Sequence, residues 1–143
     1  VKGPERGRGD YRWWDRTATR WNDNDVYGHM NNVVHYALFD TSVNRYLIAE
    51  AGLDIHGGGV IGLVVETGCR YFAPLAYPEI VEAGVRVARI GNSSVTYEIG
   101  LFSENSENAA AEGQFTHVYV DRETRRPVSL PADMRAGLER ILA

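Results

Sequence analysis

"NNVVHYALFDTSVNRYLIAEAGLD", residues 31–54, decides the fold. Asn31 or Asn32 can cap a helix, because a short polar side chain accepts a hydrogen bond from the free amides of a first turn. Gly52 stands where a glycine commonly ends one. A helix is therefore expected over about 32–51. Projected on a helical wheel, Val33, Val34, Ala37, Leu38, Phe39, Val43, Leu47 and Ile48 spread around most of the circumference. His35, Asp40, Thr41, Asn44, Arg45 and Glu50 are scattered among them rather than gathered on one side. A helix apolar nearly all round must be surrounded by protein or lipid. This one is too interrupted for lipid, so the pattern predicts a central helix wrapped by the rest of the chain.

The flanking sequence supplies the wrapping. Residues 12–22, "RWWDRTATRWN", favour an extended segment through their tryptophans and threonines. After a flexible turn at 56–59, "HGGG", residues 60–72 read as a strand, which "APLAYPE" breaks with two prolines. Residues 80–90 alternate Val81, Ala83, Val85 and Val87 against Glu82, Gly84, Arg86 and Ala88. Beyond the "GNSS" turn at 91–94, Val95, Tyr97, Ile99 and Leu101 alternate with Thr96, Glu98 and Gly100. "SENSEN" at 103–108 turns the chain into a last long strand over 109–120, and an amphipathic helix follows Pro131. Alternating runs separated by turn residues predict an antiparallel meander. One strand, one buried helix and a run of antiparallel strands make an α+β layout, a curled sheet wrapped around one long central helix. That is the hotdog fold. Residues 1–11 are expected to be a flexible leader and 12–143 a single domain.

Composition narrows the partners. A net charge of −4 over 143 residues argues against a nucleic-acid backbone as the main ligand. No apolar run approaches the ~20 residues of a membrane span, and the first ten residues lack the apolar core of a signal peptide. The single cysteine, Cys69, lies in a strand pattern and suits an inert thiol in a reducing compartment, so a cytoplasmic location is expected. His56 and His117 have no ligand-like spacing to other metal-binding side chains, and "GGG" at 57–59 lacks a dinucleotide-site context. Neither a metal nor a cofactor is predicted.

Chemistry concentrates in "RWNDNDVYGHMNN", residues 20–32. An aspartate or asparagine before a helix is commonly only a cap, and Asp23 or Asn31 could serve as one. A cap needs one residue. It does not explain why Asp25, Gly28, His29, Asn31 and Asn32 crowd in front of an internal helix. The free amides of a helix N-terminus and its dipole create a positive potential that can polarise a carbonyl and stabilise an oxyanion. Gly28 lets the backbone turn sharply beside a ligand.

"DNDVYGHMNN", Asp23 to Asn32, followed by "VVHYALFD", resembles the D-x-D-x-x-G-H-[VM]-N-N signature of the 4-hydroxybenzoyl-CoA-like acyl-CoA thioesterases. "RYFAP", Arg70 to Pro74, is similar to that family's strand-then-proline bend, and strand order and length match over roughly 15–130. The resemblance implies an acyl-CoA substrate and a homodimer, or a dimer of dimers, with the active site between subunits. It assigns Asp25 as nucleophile or general base and the Asn32 backbone amide as the carbonyl-polarising donor. His29 could order the loop, contact the carbonyl or act as a base, with loop ordering favoured, and Asp23 is read as structural. Gly28, Asn31 and Glu66 are candidate substrate-binding positions, Glu66 equally well explained by a solvated sheet face. His35 stands where many members carry tyrosine. Arg86, Arg89, Arg122, Arg125 and Arg126 are candidate grips for the coenzyme A phosphates.

Two other functions compete. A hotdog enoyl-CoA hydratase resembles G-D-x-N-P-x-H, with Asp and His five residues apart. Here Asp25 and His29 are four apart, the proline is missing and Asn24 takes the five-residue offset. A non-catalytic acyl-CoA-binding module is the second alternative, and the intact Asp25 argues against it.

Overall fold

The computed structural model describes residues 2–143. Its elements run β1 (Trp13–Ala18), α1 (Asn32–Glu50), β2 (Val60–Tyr71), β3 (Ile80–Ile90), β4 (Ser94–Ser103), β5 (Ala111–Asp121) and α2 (Ala132–Glu139). Every strand pairing is antiparallel, and the sheet order is β1-β3-β4-β5-β2. The sheet curls around α1, giving the hotdog fold. Only residues 13–18 of the expected first extended segment enter the sheet; Trp21–Asp23 coil into a 3-10 turn.

The strand alternation read from the sequence is what faces α1. Val81, Ala83, Val85 and Val87 of β3 and Val95, Tyr97, Ile99 and Leu101 of β4 are buried in one cluster with Leu38, Phe39, Val43 and Leu47. Register fixes the closest approach. Ile99 stands opposite Gly113, and a Cβ on Gly113 would fall 2.3 Å from the Phe39 ring. The missing side chain is what lets the helix settle onto the sheet. At its far end α1 stops at Gly52, which takes φ +72°, and α2 closes the end of the core. Gly137 there packs on Ala51, and the Tyr46 hydroxyl donates to the Gly137 carbonyl at 2.5 Å.

The helix is not wrapped on every side within one chain. Val33 is 64% exposed and Ile48 49%. Leu63, Val64 and Val65 are also exposed, on the sheet-edge strand β2, beside a bulge between Val64 and Glu66. The expected wrapping of α1 is therefore partial, because one sheet covers only part of its apolar circumference.

The N-terminal segment departs from the expected flexible leader, because Glu5 to Tyr11 cover the sheet's outer face. The Glu112 carboxylate accepts the amides of Glu5 (3.0 Å) and Arg6 (2.8 Å). The Arg6 guanidinium bonds Glu98 and the Tyr11 hydroxyl, and Arg8 pairs with Glu82 while lying over Phe102. Tyr11 sits directly on Gly84 and Gly100, where any Cβ would overlap its ring or hydroxyl. A polar, glycine-rich segment thus gains order from charge pairing and one aromatic anchor rather than from an apolar pattern of its own.

A polar chain lies inside the core. The Tyr97 and Tyr119 hydroxyls are 2.8 Å apart, and His117 Nδ1 is 3.1 Å from the Tyr119 hydroxyl. Burial pushes the His117 pKa from 6.5 down to about 4, so the imidazole is neutral in the folded protein near neutrality. Between these two values the unfolded chain binds more protons than the folded one, so stability rises with pH across that window. Stability should be full above pH 6.5 and fall by about 3 kcal/mol as pH drops toward 4. Urea unfolding at several pH values checks this, and His117→Phe should lose the larger part of the slope.

Among the described residues, no helix is long and apolar enough to cross a membrane.

Candidate active site

The loop ahead of α1 is held by backbone bonds and by one buried carboxylate. Asp23 is 5% exposed and accepts from the Arg20 amide at 2.7 Å and from its guanidinium at 2.7 and 3.1 Å. Burial works to raise the Asp23 pKa, but the bonds and charge of Arg20 outweigh it and hold the carboxyl below its ordinary value. The Asp23 carbonyl also receives the Asn31 amide at 2.8 Å, tying the loop's two ends together. Asp23 is therefore committed to the loop, as the sequence reading placed it.

Between those ends the chain makes a narrow turn. The Asp25 amide donates to the His29 carbonyl (2.8 Å), the Gly28 amide donates to the Asp25 carbonyl (3.1 Å), and Gly28 takes φ +81°. The loop is pinned to the segment after β2 by Met30, whose amide donates to Leu75, and by Asn24, whose side chain accepts the Tyr77 amide. One Asp25 carboxylate oxygen accepts the Tyr27 amide at 2.8 Å, which fixes the side chain's direction while leaving it half-exposed.

Asn31 is the cap, and Asn32 is the first residue of the helix. The Asn31 side chain accepts from the Val33 amide at 3.1 Å and its carbonyl from the Val34 amide at 2.9 Å. The cap thus takes the second and third amides and leaves the first, that of Asn32, outside it. The positive end of the helix dipole is directed at the same place.

Asp25, His29 and Asn32 line one cleft of about 430 Å³, whose other wall is Tyr71 and the 72–75 segment. A carboxylate, an imidazole and a helix N-terminus thus converge on one opening. Two further expected positions act locally: Gly28 makes the turn and Asn31 caps the helix. Glu66 is not brought to the cleft; it is exposed in mid-β2, with Gln114 donating to it at 3.3 Å. Of the candidate phosphate grips, Arg86 is paired with Glu98 at 2.7 Å, and the Arg122 guanidinium donates to the Gly58 and Ile55 carbonyls.

Of the cleft residues, Tyr71 escaped the sequence reading of the site, and His35 entered it only as a departure from the family's tyrosine. Tyr71 lies in the quoted "RYFAP", but only its bend was recognised; its hydroxyl donates to the Asn32 carbonyl at 3.2 Å. His35, noted only as replacing a tyrosine, is 4% exposed with its ring edge-on to Tyr71 at 4.8 Å. Its place one turn after Asn32 was the signal available, because residues three apart share a helix face.

Residues 19–138 match the thioesterase-like superfamily. The PA5185 protein of Pseudomonas aeruginosa is 53% identical, with a TM-score of 0.96 over 98% of both chains. A 1,4-dihydroxy-2-naphthoyl-CoA thioesterase from Synechocystis shares the fold at 15% identity, with a TM-score of 0.79 over 87% of this chain and 93% of its own. The SAV2348 protein of Staphylococcus aureus, solved in complex with CoA, does so at 14% identity, with a TM-score of 0.82 over 90% of this chain and 82% of its own.

Proposed function

The chain belongs to the thioesterase-like superfamily, and we propose that it is an acyl-CoA thioesterase acting through Asp25 and the first amide of α1. The observation that carries this reading is the single cleft shared by the Asp25 carboxylate and the Asn32 N-terminus of the helix. A thioester carbonyl seated on the Asn32 amide is polarised by a donor and a dipole that need no reorganisation during the reaction. Asp25 then either takes a proton from an attacking water or itself attacks the carbonyl carbon. The tetrahedral intermediate collapses with loss of the coenzyme A thiolate, a good leaving group that needs no strong acid. Water attack gives the free acid directly, whereas attack by Asp25 gives an acyl-aspartyl anhydride that water then cleaves to release the acid and restore the carboxylate. His29, exposed at the cleft mouth, orders the turn through its backbone carbonyl. The CoA-bound Staphylococcus relative supports a coenzyme A ester as the ligand class.

Crotonyl-CoA separates this reading from a hydratase. A thioesterase releases crotonate and free thiol; a hydratase yields hydroxyacyl-CoA with its thioester intact. Formation of the hydrated thioester without thiol would overturn the assignment.

The working unit is a homodimer or a dimer of such dimers. The exposed edge of β2, with Leu63, Val64 and Val65, and the exposed side of α1, with Val33 and Ile48, are what a two-fold copy would cover. Light scattering at micromolar concentration should give at least twice the mass of one chain; a clean monomer contradicts it. The lone cysteine, half-buried on β2 with its pKa pushed up to about 11 by burial, is an inert thiol and fits a cytoplasmic setting.

A further inference from the structure

The backbone that presents the Asn32 amide is held on both flanks. On one side the Asn31 amide donates to the Asp23 carbonyl at 2.8 Å. On the other the Tyr71 hydroxyl donates to the Asn32 carbonyl at 3.2 Å. The Asn32 N–H lies between these two anchors and outside the cap, so its place in the cleft depends on them. The first anchor belongs to the loop that leads into α1. The second reaches across from the opposite wall of the cleft.

Tyr71 is well founded for such a task. It is the last residue of β2, in register with Ala111 of β5. The next two amides, those of Phe72 and Ala73, both donate to the Ala110 carbonyl, at 2.8 and 3.1 Å, which fixes the strand end to the sheet. The His35 ring stands edge-on to the Tyr71 ring with centroids 4.8 Å apart, and this packing sets the direction of the hydroxyl. Farther along the same wall the Met30 amide donates to the Leu75 carbonyl at 2.6 Å. The 71–75 wall is thus tied to the helix side of the cleft at both its ends, and the tie at Tyr71 is the one made by a side chain.

Resting on the thioesterase reading, we infer that Tyr71 is a positioning residue: its hydroxyl holds the Asn32 donor at a fixed place against the facing wall, with the thioester between them. Helix ends fray, and a first-turn amide without an intrahelical partner has no bond of its own to hold it. Releasing the Asn32 carbonyl lets the first turn drift from the wall. Substrate binding tolerates a small drift, but the transition state does not, because the donor must meet the oxyanion at about 2.7–3.1 Å. A misplacement of about 1 Å can cost about 10²-fold in rate. The loss therefore falls on kcat.

The test is a double-mutant cycle on the fastest hydrolysed of butyryl-, lauroyl- and benzoyl-CoA, with wild type, Tyr71→Phe, Asn32→Pro and the double variant. Tyr71→Phe deletes one oxygen from a residue that is 43% exposed and keeps its ring against His35, so the fold should survive. It should lower kcat by about 10- to 100-fold and leave KM within about twofold. In the Asn32→Pro protein the donor is already gone, so the same substitution should cost no more than about twofold further, the non-additivity of groups that act through one another. Circular dichroism and thermal melts normalise each rate to folded protein. A lower melting temperature with unchanged kcat per folded molecule makes Tyr71 merely a packing residue and overturns the inference. So does a rise in KM alone, which marks a contact to substrate, or a full multiplicative loss in the double variant, which marks independent action. In each of those cases hydrolysis by the wild type leaves the thioesterase reading standing; a wild type that hydrolyses none of the esters removes both.

Discussion

Asn32→Pro should leave the helix intact and lower kcat by about 10²–10³, the usual cost of removing one oxyanion donor. The substitution deletes a single N–H at a position where the fold tolerates the change. Asn32 is the first helical residue, and proline is favoured there because that amide has no partner within the helix. The residue before a proline must be extended, and Asn31 already holds φ −60° and ψ 138°. The Asn31 side chain still accepts from Val33, and the Asn32 carbonyl still receives the Tyr71 hydroxyl. Asn32→Ala keeps the amide and should hydrolyse at close to the wild-type rate, which separates the backbone donor from the side chain. Steady-state kinetics with circular dichroism checks both variants. A folded Asn32→Pro protein with wild-type kcat removes the helix N-terminus from the mechanism.

Much of this arrangement was legible in the residues, for identifiable reasons. The faces of β3 and β4 were readable because side chains on a strand alternate strictly, and one buried face imposes period two on Val81 to Val87 and Val95 to Leu101. The ends of α1 were readable because Asn31 and Gly52 solve local backbone problems with local chemistry. What could not be read depends on partners far away in sequence. Tyr11 gains its burial from Gly84 and Gly100, and Phe39 its seat from Gly113, so neither contact has a signature within its own segment. Order in residues 5–11 likewise comes from Glu98 and Glu112, about a hundred positions away. In the site, Asp25, Gly28, His29 and Asn32 sit in one continuous stretch and could be found together. His35 and Tyr71 meet only because the end of β2 passes the first turns of α1. Glu66, for which a pocket and a solvated sheet face were equally good readings, is exposed on the edge strand β2 within one chain.

The two carboxylates of "DND" are the sharpest division of labour in the molecule. Asp23 is buried and takes three hydrogen bonds from Arg20, whereas Asp25 is half-exposed and lines the cleft. Asn has nearly the shape of Asp but carries no charge, so each substitution tests charge alone. On the proposed mechanism Asp25→Asn removes the group that takes the proton or attacks the carbon, and loss of a general base costs about 10²–10⁴ in rate. KM should move little, because on this mechanism Asp25 acts on the reacting carbonyl and not on the nucleotide end of the ester. Asp23→Asn surrenders the charge-assisted bonds that set the loop and should lower the melting temperature more than the turnover per folded molecule. The direct measurement is the rate of coenzyme A thiol release from a saturating acyl-CoA, taken side by side for wild type, Asp25→Asn and Asp23→Asn and normalised to folded protein. The expected result is an active wild type, an Asp25→Asn protein slower by two to four orders of magnitude with an unchanged circular dichroism spectrum, and an Asp23→Asn protein that still turns over. A folded Asp25→Asn protein at the wild-type rate beside a dead Asp23→Asn protein would contradict the account.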